Sequence, residues 1–391
     1  MSVEGGRRRR PGRGKLPGVH RGVNLLFVLA LALGSASCMF RPARAVRDVP
    51  PGVWHATLGG STRAAFIGET VPLSPAETWR HRYEAGLTSA PVVLGDLLIL
   101  GNARMVTTAS AQDGGQYWTR RFDGPVVGAP LRADSLVLVA TASRHGKVHA
   151  LSLVRGRARW ERRLRSPVTS DPLLLDGTLF TATVRGELFA LDVGTGAVRW
   201  TLRIPGQTVT APVVHEASLL LATQRDTLLR VATADGALEA VAALTGSASA
   251  PLALSGDVLV LPLHPDRIAG YDARTLQPLW SVRVDGPVLA APAVDSDGTI
   301  YALTRAADVW RITATGAATR IARLGGAARE SLTLTRNGLL VGRLDGTLFL
   351  LAKDGTELWR EEFRSSVRSP VAVRDGQLFV ALLNGTVVNL R

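Results

Sequence analysis

Residues 190–200 read Ala190-Leu-Asp-Val-Gly-Thr-Gly-Ala-Val-Arg-Trp200: an apolar strand end, a turn built on Asp192, Thr195 and two glycines, and a second strand carrying a tryptophan. Working outward in both directions, that tryptophan recurs in phase at Trp79, Trp118, Trp160, Trp200, Trp280 and Trp359, with Ala240 and Arg320 in the two slots where it is lost. Six of the eight tryptophans therefore share one position of a repeat. Four residues before a slot stands Gly114, Gly156, Gly196, Gly236, Gly316 or Gly355, and Leu276 replaces the glycine once. Glycine accepts positive φ without steric cost, as a tight turn requires. A small residue followed by proline forms a second marker at Ala90-Pro91, Ala129-Pro130, Asp171-Pro172, Ala211-Pro212, Ala250-Pro251, Ala291-Pro292 and Ser369-Pro370, with Ser331-Leu332 in the one gap. The spacings are 39, 42, 40, 39, 41, 40 and 38, the fixed period of a repeat architecture.

Inside each repeat, short apolar stretches of period-two alternation alternate with turn signals, as in Pro212-Val-Val214, Leu219-Leu-Leu-Ala222 and Leu228-Leu-Arg-Val231. No amphipathic stretch of helical length interrupts them, which predicts an all-β chain of four-stranded antiparallel units. Four-stranded repeats near this length are the blades of a β-propeller, here eight of them. The last repeat stops at Val387-Val-Asn-Leu390 without a tryptophan strand, and the first begins with an orphan one, Glu77-Thr-Trp-Arg-His81. The N- and C-terminal strands are thus expected to share the last blade and close the ring.

Ahead of the repeats, Arg7 to Arg10, Arg13, Lys15 and Arg21 precede the apolar run Leu25 to Leu33 and the small residues Gly34 to Ser37. That three-part layout reads as an export signal over residues 1–37, its apolar run too short to span a bilayer as a lasting helix. Cys38, the only cysteine, stands at the expected cleavage point as a lipid-attachment site, with Ser35 where such signals usually carry Leu. The alternative is ordinary cleavage after Ser37 or Ala45, giving a secreted or periplasmic protein. Residues 38–74 read as anchor site, Pro- and Arg-rich linker and lead-in segment, and 75–391 as the propeller. With one cysteine there is no intramolecular disulfide, so stability must come from packing.

The net charge of +14 owes much to the leader, and the remaining basic residues are arginines interspersed with acids, apart from Lys147 and Lys353. Charge this diffuse serves solubility better than nucleic-acid binding. Arginine recurs just past the tryptophan slot, as at Arg80, Arg120, Arg162, Arg203, Arg283 and Arg360, where it would guard an outer strand against pairing with foreign sheets.

The segment from Ala190 to Trp200 resembles the repeat signature of the pyrroloquinoline-quinone (PQQ) family of propellers, with partial copies at Tyr271 to Trp280, Ala352 to Trp359 and Ala150 to Trp160. The resemblance implies that Trp79, Trp118, Trp160, Trp200, Trp280 and Trp359 dock neighbouring blades. The family's enzymatic branch oxidises alcohols or sugars with PQQ and calcium, using metal-binding Glu and Asn, a base Asp and commonly paired cysteines. Paired cysteines are impossible here, the histidines form no metal spacing, and no nucleophile turn or phosphate loop is present. The expectation is therefore no catalytic, cofactor-binding or metal residue and no cofactor; the alternative is a PQQ/calcium-dependent dehydrogenase-like enzyme or a secreted propeller of another ligand.

The non-enzymatic branch includes the BamB-type lipoprotein of outer-membrane protein assembly, which the signal-plus-cysteine start also resembles. That likeness implies a monomeric propeller at the outer membrane, facing the periplasm and binding a partner protein of the barrel assembly complex. The matching partner loop is Ile204, Pro205, Gly206 and Gln207, where only Ile204 keeps the family's apolar character.

Overall fold

The computed structural model describes residues 66–391 except 85, 88, 209 and 210. The expected export signal, Cys38 and the linker up to residue 65 lie outside the described residues. Among the described residues every regular element is a β-strand, and the strands form eight antiparallel blades of four, one of which takes on a fifth, parallel strand. We number these blades in chain order. In blade 3 the strands Leu173–Leu175, Thr178–Ala182, Glu187–Asp192 and Val198–Arg203 run from innermost to outermost in the order of the sequence. Blade 8 holds Ala372–Arg374, Gln377–Ala381 and Thr386–Leu390 and takes its outermost strand, Glu77–Arg82, from the start of the repeats. The join pairs Trp79 with Asn389 and Arg82 with Thr386, and Ala76 and Arg391 exchange backbone hydrogen bonds of 2.8 and 2.9 Å. The ring is an eight-bladed β-propeller closed by strands from both ends of the repeat array.

Two strands deep in each blade are covered on both faces. Ser218–Thr223 of blade 4 is buried at all six positions. The expected alternation therefore fails in the middle strands, because each blade packs a neighbour on either side and both faces of the sheet leave water. Alternation survives in the outermost strands, where only one face meets the next blade, as in Val198–Arg203.

The tryptophan slot makes the seams. The indole Nε1 of Trp118 donates to Leu153 O at 2.8 Å, that of Trp160 to Val193 O at 2.8 Å, and that of Trp200 to Thr233 O at 3.0 Å. Trp79 and Trp280 do the same toward Ala111 O and Ala314 O. Each acceptor belongs to the third-to-fourth strand turn of the next blade, and the turn glycine lies under the ring: a Cβ on Gly196 would come within 2.5 Å of Trp160. Gly196 also sits at φ +69°, so both backbone and space demand glycine there.

At the seam between blades 4 and 5 the tryptophan is missing, and two residues take over its roles. Arg230, opposite Ala240 across the sheet, donates from Nη1 to Ala273 O at 2.9 Å, the carbonyl equivalent to those the indoles reach elsewhere. Leu276, fully buried in the cluster that Ala240 packs against, stands where the turn glycine would be and holds φ +60°.

A lead-in strand, Phe66–Ile67, pairs in parallel with the innermost strand of blade 7, Leu332–Thr335. Asn337 fastens the segment through two hydrogen bonds with the backbone of Val71.

Candidate functional site

Antiparallel order puts two sets of connections on each side of the ring. One side carries the first-to-second and third-to-fourth strand turns; the other carries the second-to-third strand turns and the longer loops that pass to the next blade. On this second side the loops are tied down: isolated bridges join Val168 to Thr183, Thr208 to Thr223, Ala248 to Leu263, Val288 to Thr304 and Val367 to Leu382. A surface so braced presents side chains from fixed positions, which suits recognition at low ordering cost.

The loop expected to meet a partner, Ile204 to Gln207, lies on this side. Ile204 itself is only 4% exposed and packs in the core between blades 3 and 4, its N–H bonded to Gly186 O. It occupies a repeated anchor four residues past the tryptophan slot, shared with Tyr83, Phe122, Leu164, Leu244, Val284 and Phe363, all buried. That spacing is visible in the sequence and marks Ile204 as a packing residue. Pro205 is exposed, and Gly206 and Gln207 are half-buried.

The same side carries a more distinctive patch on blades 7 and 8, which sequence reading did not single out. The tips of the second-to-third strand turns hold Leu344 and Leu383, each 36% exposed and side by side, where blades 4 and 6 carry Gln224 and Arg305 and blade 3 carries a single exposed Val184. Ser366 stitches the two turns together, donating from Oγ to Leu344 O and accepting the Leu383 N–H on its backbone carbonyl at 3.1 Å. Beside them a cavity of about 220 Å³ is lined by Arg329, Glu330, Arg368 and Leu383. Arg364 is exposed on the same loop as Arg368. A second cavity of about 230 Å³ continues from Glu330 toward Asp171 and the Ala-Pro loops of blades 1 and 2.

The Glu330 side chain stays 53% exposed, yet the protein packed around it at the cavity displaces enough water to push its carboxyl above the usual range; Arg329 and Arg368 oppose the rise and the Asp171 charge adds to it. Arg329 Nε lies 3.5 Å from Glu330 Oε1. The patch thus offers three guanidinium groups, two exposed leucines and one carboxyl, an arrangement for holding an anionic, partly apolar segment.

The donor set expected of a PQQ- and calcium-binding channel does not match this one. Among the described residues no three His, Cys, Asp or Glu side chains converge as metal ligands, and the two carboxyls at the mouth share it with arginines. A calcium-held quinone does not fit these residues.

Fold, repeat chemistry and seams define an eight-bladed propeller of the PQQ-like repeat class. The chain belongs to the family described as outer membrane protein assembly factor BamB, whose model matches residues 68–175, 144–247 and 296–391. No curated protein sequence matches it. Among solved structures it is similar to BamB from Moraxella catarrhalis, with a TM-score of 0.67 and 16% identity over 81% of this chain and 99% of that one. It is also similar to quinohemoprotein alcohol dehydrogenase from Comamonas testosteroni, with a TM-score of 0.70 and 11% identity over 89% of this chain and 81% of that one. A europium-containing methanol dehydrogenase gives 0.70 and 13% over 85% and 89%. At such identities the likeness is one of fold, which enzymes and non-enzymes share.

Proposed function

We propose that this chain is a non-catalytic scaffold, exported and anchored in the cell envelope through Cys38, that docks a partner protein in outer-membrane protein assembly. The observation that carries the reading is the braced patch of Leu344, Leu383, Arg329, Arg364 and Arg368 on one side of the ring. Arginine is enriched at interfaces and among the few residues that supply most of their binding energy, and the exposed leucines beside it add apolar surface for a partner to cover. Membership of a family described by an outer-membrane assembly factor supports the setting, and the layout of residues 1–38 supports export. The partner surface is expected to be acidic and apolar, because the patch is short of carboxylates.

A photo-crosslinking amino acid in place of Leu383, activated in native membranes, tests this reading. The expected product is one adduct with an outer-membrane assembly component, reduced ~10-fold or more by Arg368→Glu. Cys38→Ala is expected to release the protein from the membrane fraction. No adduct, or one indifferent to Arg368→Glu, overturns the docking site; alcohol oxidation by the purified chain supplied with PQQ and calcium overturns the non-catalytic reading.

A further inference from the structure

The ring contains eight copies of the same outermost strand, and each copy is a control for the others. Seven carry arginine: the strands end or centre on Arg80, Arg120, Arg162, Arg199, Arg283, Arg320 and Arg360. The eighth, Leu238–Ala243 of blade 4, reads Leu-Glu-Ala-Val-Ala-Ala and carries none. An outermost strand leaves a row of backbone N–H and C=O groups without sheet partners, and long cationic side chains are the usual guard on such an edge. On blade 4 the guard is gone. Leu238 and Val241 stand 48% and 56% exposed in its place. The one charged side chain, Glu239, is turned back into its own blade, accepting from Ser218 Oγ at 2.6 Å and Arg230 Nε at 2.9 Å. The flanking blades extend the apolar strip with Val198 and Leu279, 43% and 52% exposed.

We propose that the outer edge of blade 4 is a strand-addition site that takes an extended, uncharged segment of another polypeptide, with apolar side chains at alternate positions. Strand addition gives the occupant main-chain hydrogen bonds along the edge, and alternate side chains of the added strand cover Leu238 and Val241. The charge pattern selects this occupant. An acidic strand finds a guanidinium on each of the seven arginine-bearing edges, even where that arginine already pairs with an acid as Arg80 does with Glu77 and Arg360 with Glu357, and no cation on the strand of blade 4, whose own carboxylate is already paired. A second copy of the chain is disfavoured: it brings Arg199, Arg203 and Arg283 of the flanking blades toward their own counterparts, in a protein whose basic residues outnumber its acidic ones beyond the leader as well. This surface lies on the rim, away from the loop patch on blades 7 and 8, and stands or falls independently of it.

The test uses the full chain and a fluorescein-labelled peptide of alternating threonine and valine, followed by anisotropy and by amide hydrogen exchange. Saturable binding is expected, with new protection confined to residues 238–243. Val241→Arg restores the missing guard at an exposed position and is expected to weaken binding ~10-fold or more, whereas Leu279→Arg, on an edge already guarded by Arg283, leaves it within about twofold. A peptide with proline at every second position, unable to donate along one side, is expected not to bind. Equal melting temperatures of the variants and the parent exclude misfolding as the cause. The proposal is overturned by absence of binding to the parent, by protection on other blades, by equal loss in both variants, or by a concentration-dependent dimer that Val241→Arg abolishes, which would make the occupant a second copy.

Discussion

Arg230, Ala240 and Leu276 show how one tryptophan can be exchanged for a set of residues distant in sequence. A ring at slot 240 would need a small residue opposite it and a glycine beneath it, as Ala190 and Gly236 provide for Trp200. The chain instead supplies Ala240, a guanidinium that reaches the same carbonyl, and a leucine that fills the space. Ala240→Trp alone is therefore expected to overpack the seam and cost about 2 kcal/mol, while Ala240→Trp with Arg230→Ala and Leu276→Gly regains most of it. Urea unfolding midpoints of the single and triple variants measure the difference, and additive losses would refute the exchange. The tryptophan docks were legible because they repeat. The substitute was not, because its members lie 10 and 36 residues from the slot and meet only after the blades have packed.

At the scale of the strand, the outer pair of blade 2 sets a neutral histidine among charges. His149 on Lys147–Ser152 faces Glu161 across the sheet, with Nδ1 3.3 Å from its carboxylate, and its ring packs on Phe122. Burial pushes its pKa down to about 4, against the upward pull of Glu161. The unfolded chain takes up a proton near pH 6.5 and the folded one only near pH 4, so stability is unaffected above that upper value and falls as pH drops through the interval. His149→Gln is expected to lose less stability than the parent between pH 7 and about pH 4.5, read as the change in urea midpoint. Parallel slopes for the two proteins would refute it. Strand count and blade order were readable from turn spacing, whereas the doubly buried middle strands lack the alternation that a half-exposed sheet would show. The same limit hid the Leu344 and Leu383 patch: each leucine follows a strand and reads as its last residue until the turn is placed.

For the whole molecule, closure depends on pairing strands separated by about three hundred residues, with no covalent bond at the join. Removing residues 386–391 takes away the third strand of blade 8 and leaves Glu77–Arg82 without a ladder. That truncation is expected to split the unfolding transition and to expose the first repeat strand to protease, because repeat arrays draw stability from neighbour interfaces. An unchanged single transition would show that the closing blade contributes little. Ring closure was predictable because the two terminal fragments complement each other in the repeat frame. The lead-in strand on blade 7 was not, since Phe66–Ile67 follows no repeat pattern. The join also fixes the order of assembly on a ribosome or through an export pore. The first strand of the repeats to appear, at Glu77, must wait for the last of them, at Leu390, so a chain cut short in synthesis or transit keeps an open flank that quality-control proteases can recognise.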